Sequence, residues 1–218
     1  MPPLAPQLAS VYTNFASVAP AAVKSTIDAA ITDAITKLPD ASGVIKPGAT
    51  FPSFTLPSAT KTPTSLNELL EKSTKGVLIT FYRGGWCPFC NLALHSLQSI
   101  LPSLTASGVS LIAISPELPD FSLSTSEKNA LDFTVLSDVG NKLARELGIV
   151  WKQPSAMQGV MKAFGNDLEK INGNAEWELP VPATFLVDAR GVVREVYFEA
   201  DYRKRLEPET ALEWVAKL

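Results

Sequence analysis

The chain reads as an α/β domain, a mixed central β-sheet with helices on both faces, preceded by an N-terminal helical extension. Three observations predict this. Residues 76–82 (GVLITFY) and 108–115 (GVSLIAIS) are continuous apolar runs, as expected of strands buried on both faces. Helical patterns alternate with these runs. The chain then turns through a hairpin, 183–188 (ATFLVD) and 192–199 (VVREVYFE), before a last helix.

The elements follow in order. Residues 1–46 form an extension and linker, and 47–218 form the main domain. Within the extension, Val23, Ile27, Ala30, Ile31, Ala34, Ile35 and Leu38 recur at helical spacing, while Asp28, Asp33 and Lys37 lie off that stripe. This predicts an amphipathic helix packed on the domain or on a second copy of the chain, so a homodimer is one assembly to look for. A Pro/Gly/Ser/Thr-rich loop runs from Pro39 to Ser65, with a short edge strand near 54–56. Residues 65–72 (SLNELLEK) read as a helix with Ser65 as N-cap and Glu68 at the capping-box position. Beyond the first buried strand, 90–104 (CNLALHSLQSILPSL) is helical, and so is 126–133 (SEKNALDF). A short strand at 134–137 precedes a helix over 140–150 closed by Gly148. Asp188 suits the hairpin turn, and Pro208 suits the first turn of the last helix.

Composition narrows the function classes. The 218 residues are 46% hydrophobic, enough for a full core, and 19 basic against 22 acidic residues leave a net charge of -3. No basic patch points to nucleic acid, and no apolar run is long enough to span a membrane. The N-terminus has neither the basic start nor the apolar block of a signal peptide. The cytoplasm is therefore the expected compartment, where thiols are kept reduced.

Both cysteines lie in 81–90, FYRGGWCPFC, between a buried strand and a helix. Ligands of open α/β sheets bind at that end of the strands. The pair supplies two of the four ligands of a structural zinc site, and the chain has one histidine, His95, so no metal is expected. Two readings stay open: inert buried thiols in a strand–helix turn, or a redox dithiol. The context favours the second. Cys87 falls just before the helix with Pro88 at its first position, where unpaired backbone N–H groups and Arg83 lower a thiol's pKa. Cys90, one turn deeper, is placed to resolve an oxidised Cys87.

With these residues in place, the chain resembles the alkyl hydroperoxide reductase/thiol-specific antioxidant (AhpC/TSA) family, the peroxiredoxin-like branch of the thioredoxin-fold superfamily. The resemblance covers about three quarters of the chain, from KPGATFPSFTL to RKRLEP, and includes FYRGGWCPFCN, LIAISPELPDFS, FTVLSDVGNKLARELGI and LPVPATFLVDARGVVREVYFEADYRKRLEP. It implies a thioredoxin-like fold, Cys87 as the attacking cysteine and Cys90 as the resolving one. It also implies that Pro182 is the cis proline facing the dithiol, and that Val181 offers backbone groups to a substrate. The sequence departs from the family in two places. The family pattern Pro-x-x-x-Thr-x-x-Cys, set on Cys87, finds Thr80 and Gly84 where Pro and Thr would stand. The arginine expected before the penultimate core strand is absent, which leaves Arg83 as the candidate charge. Gly84 and Gly85 are expected to expose backbone to the substrate.

Other residues carry weaker signals. Trp86 is either an apolar wall for a substrate or a packing aromatic. His95, Glu117 and Asp120 are candidate proton carriers, with ordinary surface roles as the plainer reading. Residues 151–180 exceed a compact connection, and Met157, Val160, Met161 and Phe164 form a helical stripe suited to a lid, a dimer contact or the core. The functions in view are a thiol peroxidase acting on hydrogen peroxide or organic hydroperoxides, a disulfide oxidoreductase, and a non-redox pathway enzyme on the same fold. The redox readings need no cofactor beyond an external thiol reductant such as thioredoxin or glutathione.

Overall fold

The computed structural model describes residues 2–38 and 42–218, so the start of the loop predicted from Pro39 lies outside the described residues. Two helices open the chain, α1 (Leu4–Val18) and α2 (Ala21–Lys37). A ribbon of β1 (Thr55–Pro57) and β2 (Pro63–Ser65) leads into α3 (Leu66–Glu71). Then come β3 (Gly76–Phe81), α4 (Pro88–Ala106), β4 (Val109–Ser115), α5 (Pro119–Lys128), β5 (Thr134–Ser137) and α6 (Lys142–Glu146). The 151–180 region holds β6 (Val150–Lys152), α7 (Ser155–Ala163), α8 (Leu168–Asn172) and β7 (Glu178–Pro180). The hairpin β8 (Ala183–Asp188) and β9 (Val193–Phe198) and helix α9 (Pro208–Val215) complete the fold.

The central sheet has the order β5-β4-β3-β8-β9. Strands β3, β4 and β5 run parallel, whereas β8 is antiparallel to β3 and to β9. Side chains alternate across it as the strand period requires. Leu78, Leu111, Ala113 and Leu186 face one core with α4 and α9. Val77, Ile79, Phe81, Ile112, Ile114, Phe185 and Val187 face the other, with α3 and α6. The apolar runs are continuous because both faces of β3 and β4 are covered.

Local signals set several boundaries. The capping box at α3 is complete, with Ser65 Oγ accepting from Glu68 N–H and Glu68 accepting from Ser65 N–H. Gly148 takes φ +74°, the left-handed turn expected after α6. Asp188 makes the hairpin turn by accepting from the N–H groups of Arg190 and Val192, and Arg194 neutralises it. Two predictions shift. The fifth helix begins at Pro119 and ends at Lys128, not over 126–133, because Ala130 adopts φ +46° and breaks the helical path. The strand near 54–56 pairs with β2 in a ribbon, and the residues that follow it, Ser58 and Ala59, join that ribbon to the edge strand β5.

The N-terminal helices belong to the dithiol-bearing core. Leu4, Leu8, Ile27, Ala30, Ile31 and Ala34 are buried in the cluster that contains Cys87, Cys90 and the inner face of α4. Burying each large aliphatic side chain contributes about 1.5–3 kcal/mol. The polar face of α2 also serves this docking, since Asp28 accepts from Tyr12 of α1 and Asp33 accepts from Trp151 Nε1 at 3.0 Å. Helix α1 has no capping side chain of its own. Glu207 supplies the cap, its two oxygens accepting from Leu4 N–H and Ala5 N–H at 2.8 Å each. We expect Glu207→Ala to cost about 1–2 kcal/mol, the usual worth of a lost cap. Hydrogen exchange in residues 4–18 should rise more than in β3, and uniform exchange across both segments would contradict this anchoring.

Candidate active site

Strand β3 sits between two hydrogen-bonded neighbours, and its last pairings set the height of the loop that follows. Phe81 is opposite Ile114 and Ala183, and Tyr82 N–H donates to Ile114 O at 3.0 Å. The chain then turns through Arg83-Gly84-Gly85-Trp86 and enters α4 with Cys87 as N-cap and Pro88 in the first turn. Cys87 O accepts from Cys90 N–H and Asn91 N–H, and Cys87 N–H donates to Gly84 O. Both cysteines are free thiols with no exposed surface.

The two glycines are needed for packing. Gly84 has φ +147°, and a Cβ there would lie 2.3 Å from Trp86 Nε1 and 2.9 Å from Glu117 Oε1. A Cβ on Gly85 would lie 2.0 Å from Thr125 Oγ1. The Gly85 N–H donates to Glu117 Oε1 at 3.0 Å, so it is not offered to a substrate as expected.

Above Cys87 lies a cavity of about 350 Å³. Arg83, Trp86, Cys87, Pro88 and Phe89 form its floor, with Tyr202 beside them. Val11, Tyr12 and Phe15 of α1 and Ile27 of α2 form one wall. Met157 and Met161 of α7, followed by Phe164 and Asn166, form another, so three of the four stripe residues line the cavity while Val160 packs against the core. Phe15 and Phe164 meet edge-on, ring centroids 6.4 Å apart, and close the roof. The lining is mostly apolar and of the size of small-molecule sites.

Arg83 is only 4% exposed. Its guanidinium stands 3.9 Å from the Tyr202 ring centroid and 5.0 Å from that of Trp86, so Trp86 both packs and lines the cavity. Such stacking offsets part of the cost of burying the charge.

The thiols differ from the expected order. Burial, and the hydrogen bond shared with Cys90, push the Cys87 thiol well up. Burial also works against a charge on Cys90, but the Cys87 hydrogen bond, the Arg205 charge and the Arg83 backbone N–H outweigh it and bring Cys90 down to about 5. The lowered thiol is therefore Cys90, not Cys87. The N-cap position does not decide the matter, because burial and the neighbouring Cys90 outweigh it at Cys87. The sequence held one overlooked signal. Set on Cys90, the family pattern places Arg83 at its Pro and Cys87 at its Thr. Arg205 itself left no such trace, being 115 residues from Cys90.

Of the candidate proton carriers, Glu117 is the one that the fold encloses beside the dithiol loop. It is 2% exposed, and besides Gly85 N–H it accepts from Thr125 Oγ1 at 3.3 Å and Tyr82 Oη at 3.4 Å. Burial raises its carboxyl to about 7, against the lowering effect of these hydrogen bonds. By contrast, His95 is exposed on α4, and Asp120 is exposed and paired with Lys61 at 2.8 Å.

Val181 and Pro182 are buried beside the end of β3, but they do not line the cavity. Val181 N–H is used by Ile149 O at 2.7 Å. Among the described residues no peptide bond is cis, so the cis form expected at Pro182 is corrected to trans. The trans isomer is the ordinary preference of an X–Pro bond, by about 0.5–1 kcal/mol.

Comparison with known proteins agrees with this architecture. The AhpC/TSA family model matches residues 47–196. The peroxiredoxin Bcp of Escherichia coli (strain K12) is 26% identical over 171 residues, 78% of this chain and 96% of that protein. The chloroplastic peroxiredoxin Q of Sedum lineare is 27% identical over 171 residues, 78% of this chain and 76% of that protein. Among solved structures, the peroxidoxin BcpB of Mycobacterium tuberculosis superposes with a TM-score of 0.61 at 21% identity, covering 80% of this chain and 98% of that one. The peroxiredoxin Q of Xanthomonas campestris gives 0.58 at 17% identity, covering 82% and 98%. These structural likenesses extend to the thioredoxin-like fold.

The raised Glu117 carboxyl has a thermodynamic consequence. Between its ordinary value of 4.5 and about 7 the folded state binds more proton than the unfolded state, so its contribution to stability falls as pH rises. Urea unfolding of the reduced protein should show wild type losing up to about 3 kcal/mol relative to Glu117→Gln between pH 4.5 and 8. A difference that stays flat with pH would show that Glu117 is not held protonated.

Proposed function

We propose that this chain, which belongs to the AhpC/TSA family, is a thiol-dependent peroxidase working through the Cys87/Cys90 dithiol. The observation that carries the reading is the reduced pair at the carboxyl end of β3, with Cys87 and Arg83 in the floor of an apolar cavity. One sulfur is oxidised to a sulfenic acid by a hydroperoxide, which leaves as an alcohol or water. The second sulfur condenses with it, releasing water and forming a disulfide. Two thiols of an external reductant, such as thioredoxin or glutathione, restore the dithiol by exchange. No further cofactor enters this scheme, and the cytoplasm, where thiol pools are reducing, is the compartment we propose.

The shape of the cavity favours organic hydroperoxides over hydrogen peroxide. Tyr12, Phe15, Met157 and Met161 offer an apolar body the contact that the small peroxide cannot use. Disulfide exchange as the main activity is less well supported, because the apolar cavity above Cys87 has the size of a small-molecule site.

Reduced wild-type protein should consume cumene hydroperoxide with a lower KM than hydrogen peroxide, and Cys87→Ser and Cys90→Ser should each lose turnover. Phe15→Ala should raise KM for cumene hydroperoxide about tenfold, the usual worth of one lost apolar contact, and leave hydrogen peroxide unchanged. Peroxide loss no faster than that caused by free thiol would sink the peroxidase reading. Equal effects of Phe15→Ala on both substrates would remove the cavity from substrate selection.

A further inference from the structure

We propose that the cavity above Cys87 is a monocarboxylate site, and that the hydroperoxides it serves best are acyl hydroperoxides (peroxycarboxylic acids), which leave as a carboxylate on Arg83. The inference rests on the peroxidase reading above for its substrate class. The carboxylate site itself stands independently of turnover.

The cavity lining holds one charge. Its described residues include no carboxylate, and Arg83 is their one cation. The guanidinium is almost fully buried against the Tyr202 and Trp86 rings, 3.9 Å and 5.0 Å from their centroids. Arg145, Arg190, Arg194 and Arg203 each pair with a carboxylate, whereas among the described residues none pairs with Arg83. Ring faces offset only part of the cost of burying a charge, so a buried cation without an anion is a poised binding group. A guanidinium is planar and presents parallel N–H donors, which match the two oxygens of a carboxylate. One cation balances one negative charge, which favours a monocarboxylate over a phosphate dianion. The rest of the ligand meets Tyr12, Phe15, Met157 and Met161, so it is apolar.

Cys87 shares the cavity floor with Arg83, so the group beside a bound carboxylate lies next to a sulfur. An acyl hydroperoxide carries its O–O bond at that place. Its carbonyl oxygen and inner peroxide oxygen become the two carboxylate oxygens when the bond breaks. Negative charge thus develops on the atoms that the guanidinium fork matches, where a fixed cation stabilises the transition state most. An alkyl hydroperoxide leaves a single alkoxide oxygen and uses the fork less well. The steps balance. The Cys87 sulfur attacks the outer peroxide oxygen, an S–O bond forms, the O–O bond breaks and the carboxylate leaves, while the thiol proton goes to solvent. Cys90 then condenses with the Cys87 sulfenic acid, and water departs. Two thiols and one acyl hydroperoxide become a disulfide, a carboxylate, a water and one proton.

Calorimetric titration of the reduced full-length protein with octanoate and with octanol tests the site. Octanoate should bind about tenfold or more tightly than octanol, the usual worth of a hydrogen bond between charged groups. Arg83→Met should remove that difference, and Arg83→Lys should keep part of it. The lysine variant and the circular dichroism of each protein separate charge from folding. Equal affinities for the two ligands in wild type, or an unchanged octanoate affinity in a folded Arg83→Met, overturn the carboxylate site. Stopped-flow oxidation by peroxyoctanoic acid and by octyl hydroperoxide tests the substrate class. Each rate is divided by that of free dithiothreitol, because peroxy acids are intrinsically faster oxidants of thiols. The ratio should be about tenfold or more larger for the peroxy acid in wild type and fall to parity in Arg83→Met, with octanoate inhibiting competitively. Equal ratios in wild type overturn the substrate class, while calorimetry still decides the carboxylate site. Should neither peroxide be consumed faster than by free thiol, the peroxidase reading and the substrate class fall together, and the calorimetric result stands apart from both.

Discussion

The site depends on β3 being hydrogen-bonded on both sides, parallel to β4 and antiparallel to β8. Six paired residues hold it against each neighbour, so Phe81 cannot slide without breaking both ladders. The loop from Arg83 to Trp86 is then short enough that Cys87 must cap α4 at the end of the sheet. Ile114 receives Tyr82, and Glu117, three residues further on, receives Gly85, so β3 and the chain leaving β4 both grip the loop. The glycines fit this grip because Trp86, Glu117 and Thr125 already occupy the space of a side chain.

Rigid placement matters because the site buries charge. The Arg83 guanidinium, two thiols and a carboxyl share a region with almost no exposed surface, and the half-buried Arg205 reaches into it. Each would be costly alone, since a buried charge is tolerated only when paired and hydrogen-bonded. Arg83 is held by the faces of Tyr202 and Trp86, and Arg205 by two carbonyl oxygens. Glu117, without a cation, responds by retaining its proton to higher pH. The same dry surroundings strengthen each remaining interaction with the sulfurs.

The N-terminal helices enter this picture as part of the cavity. Capped by Glu207 and tied through Asp28 and Asp33, they bring Tyr12, Phe15 and Ile27 over the dithiol. Arg203, two residues before Arg205, lies 4.6 Å from the Tyr12 ring centroid. The segment after β9 therefore secures the roof with one arginine and reaches a sulfur with the other. Phe164 shows where the roof is thinnest: it meets Phe15 and remains 52% exposed.

Much of this was readable in the residues themselves. Strand β3 was legible because burial on both faces demands an unbroken apolar run, and α3 because Ser65 and Glu68 interact within one turn. The dithiol and its strand–helix setting were legible for the same reason, since the cysteines and their loop are adjacent in sequence. Helix α1 was missed although Leu4, Leu8, Val11, Tyr12 and Phe15 recur at helical spacing, since its start carries no local cap and Glu207, more than 200 residues away, supplies it. Glu117 looked like a loop acid because nothing in SPELP reveals that Tyr82 and Thr125 will enclose it. Sequence alone thus determined the α/β frame and the place of the reactive pair, which follow from short-range periodicity and spacing. Tertiary structure decided which charged groups meet the thiols and what encloses the pair. Electrostatics and burial act through space, and Arg205, Glu117 and Phe15 reach the pair only when the chain has folded.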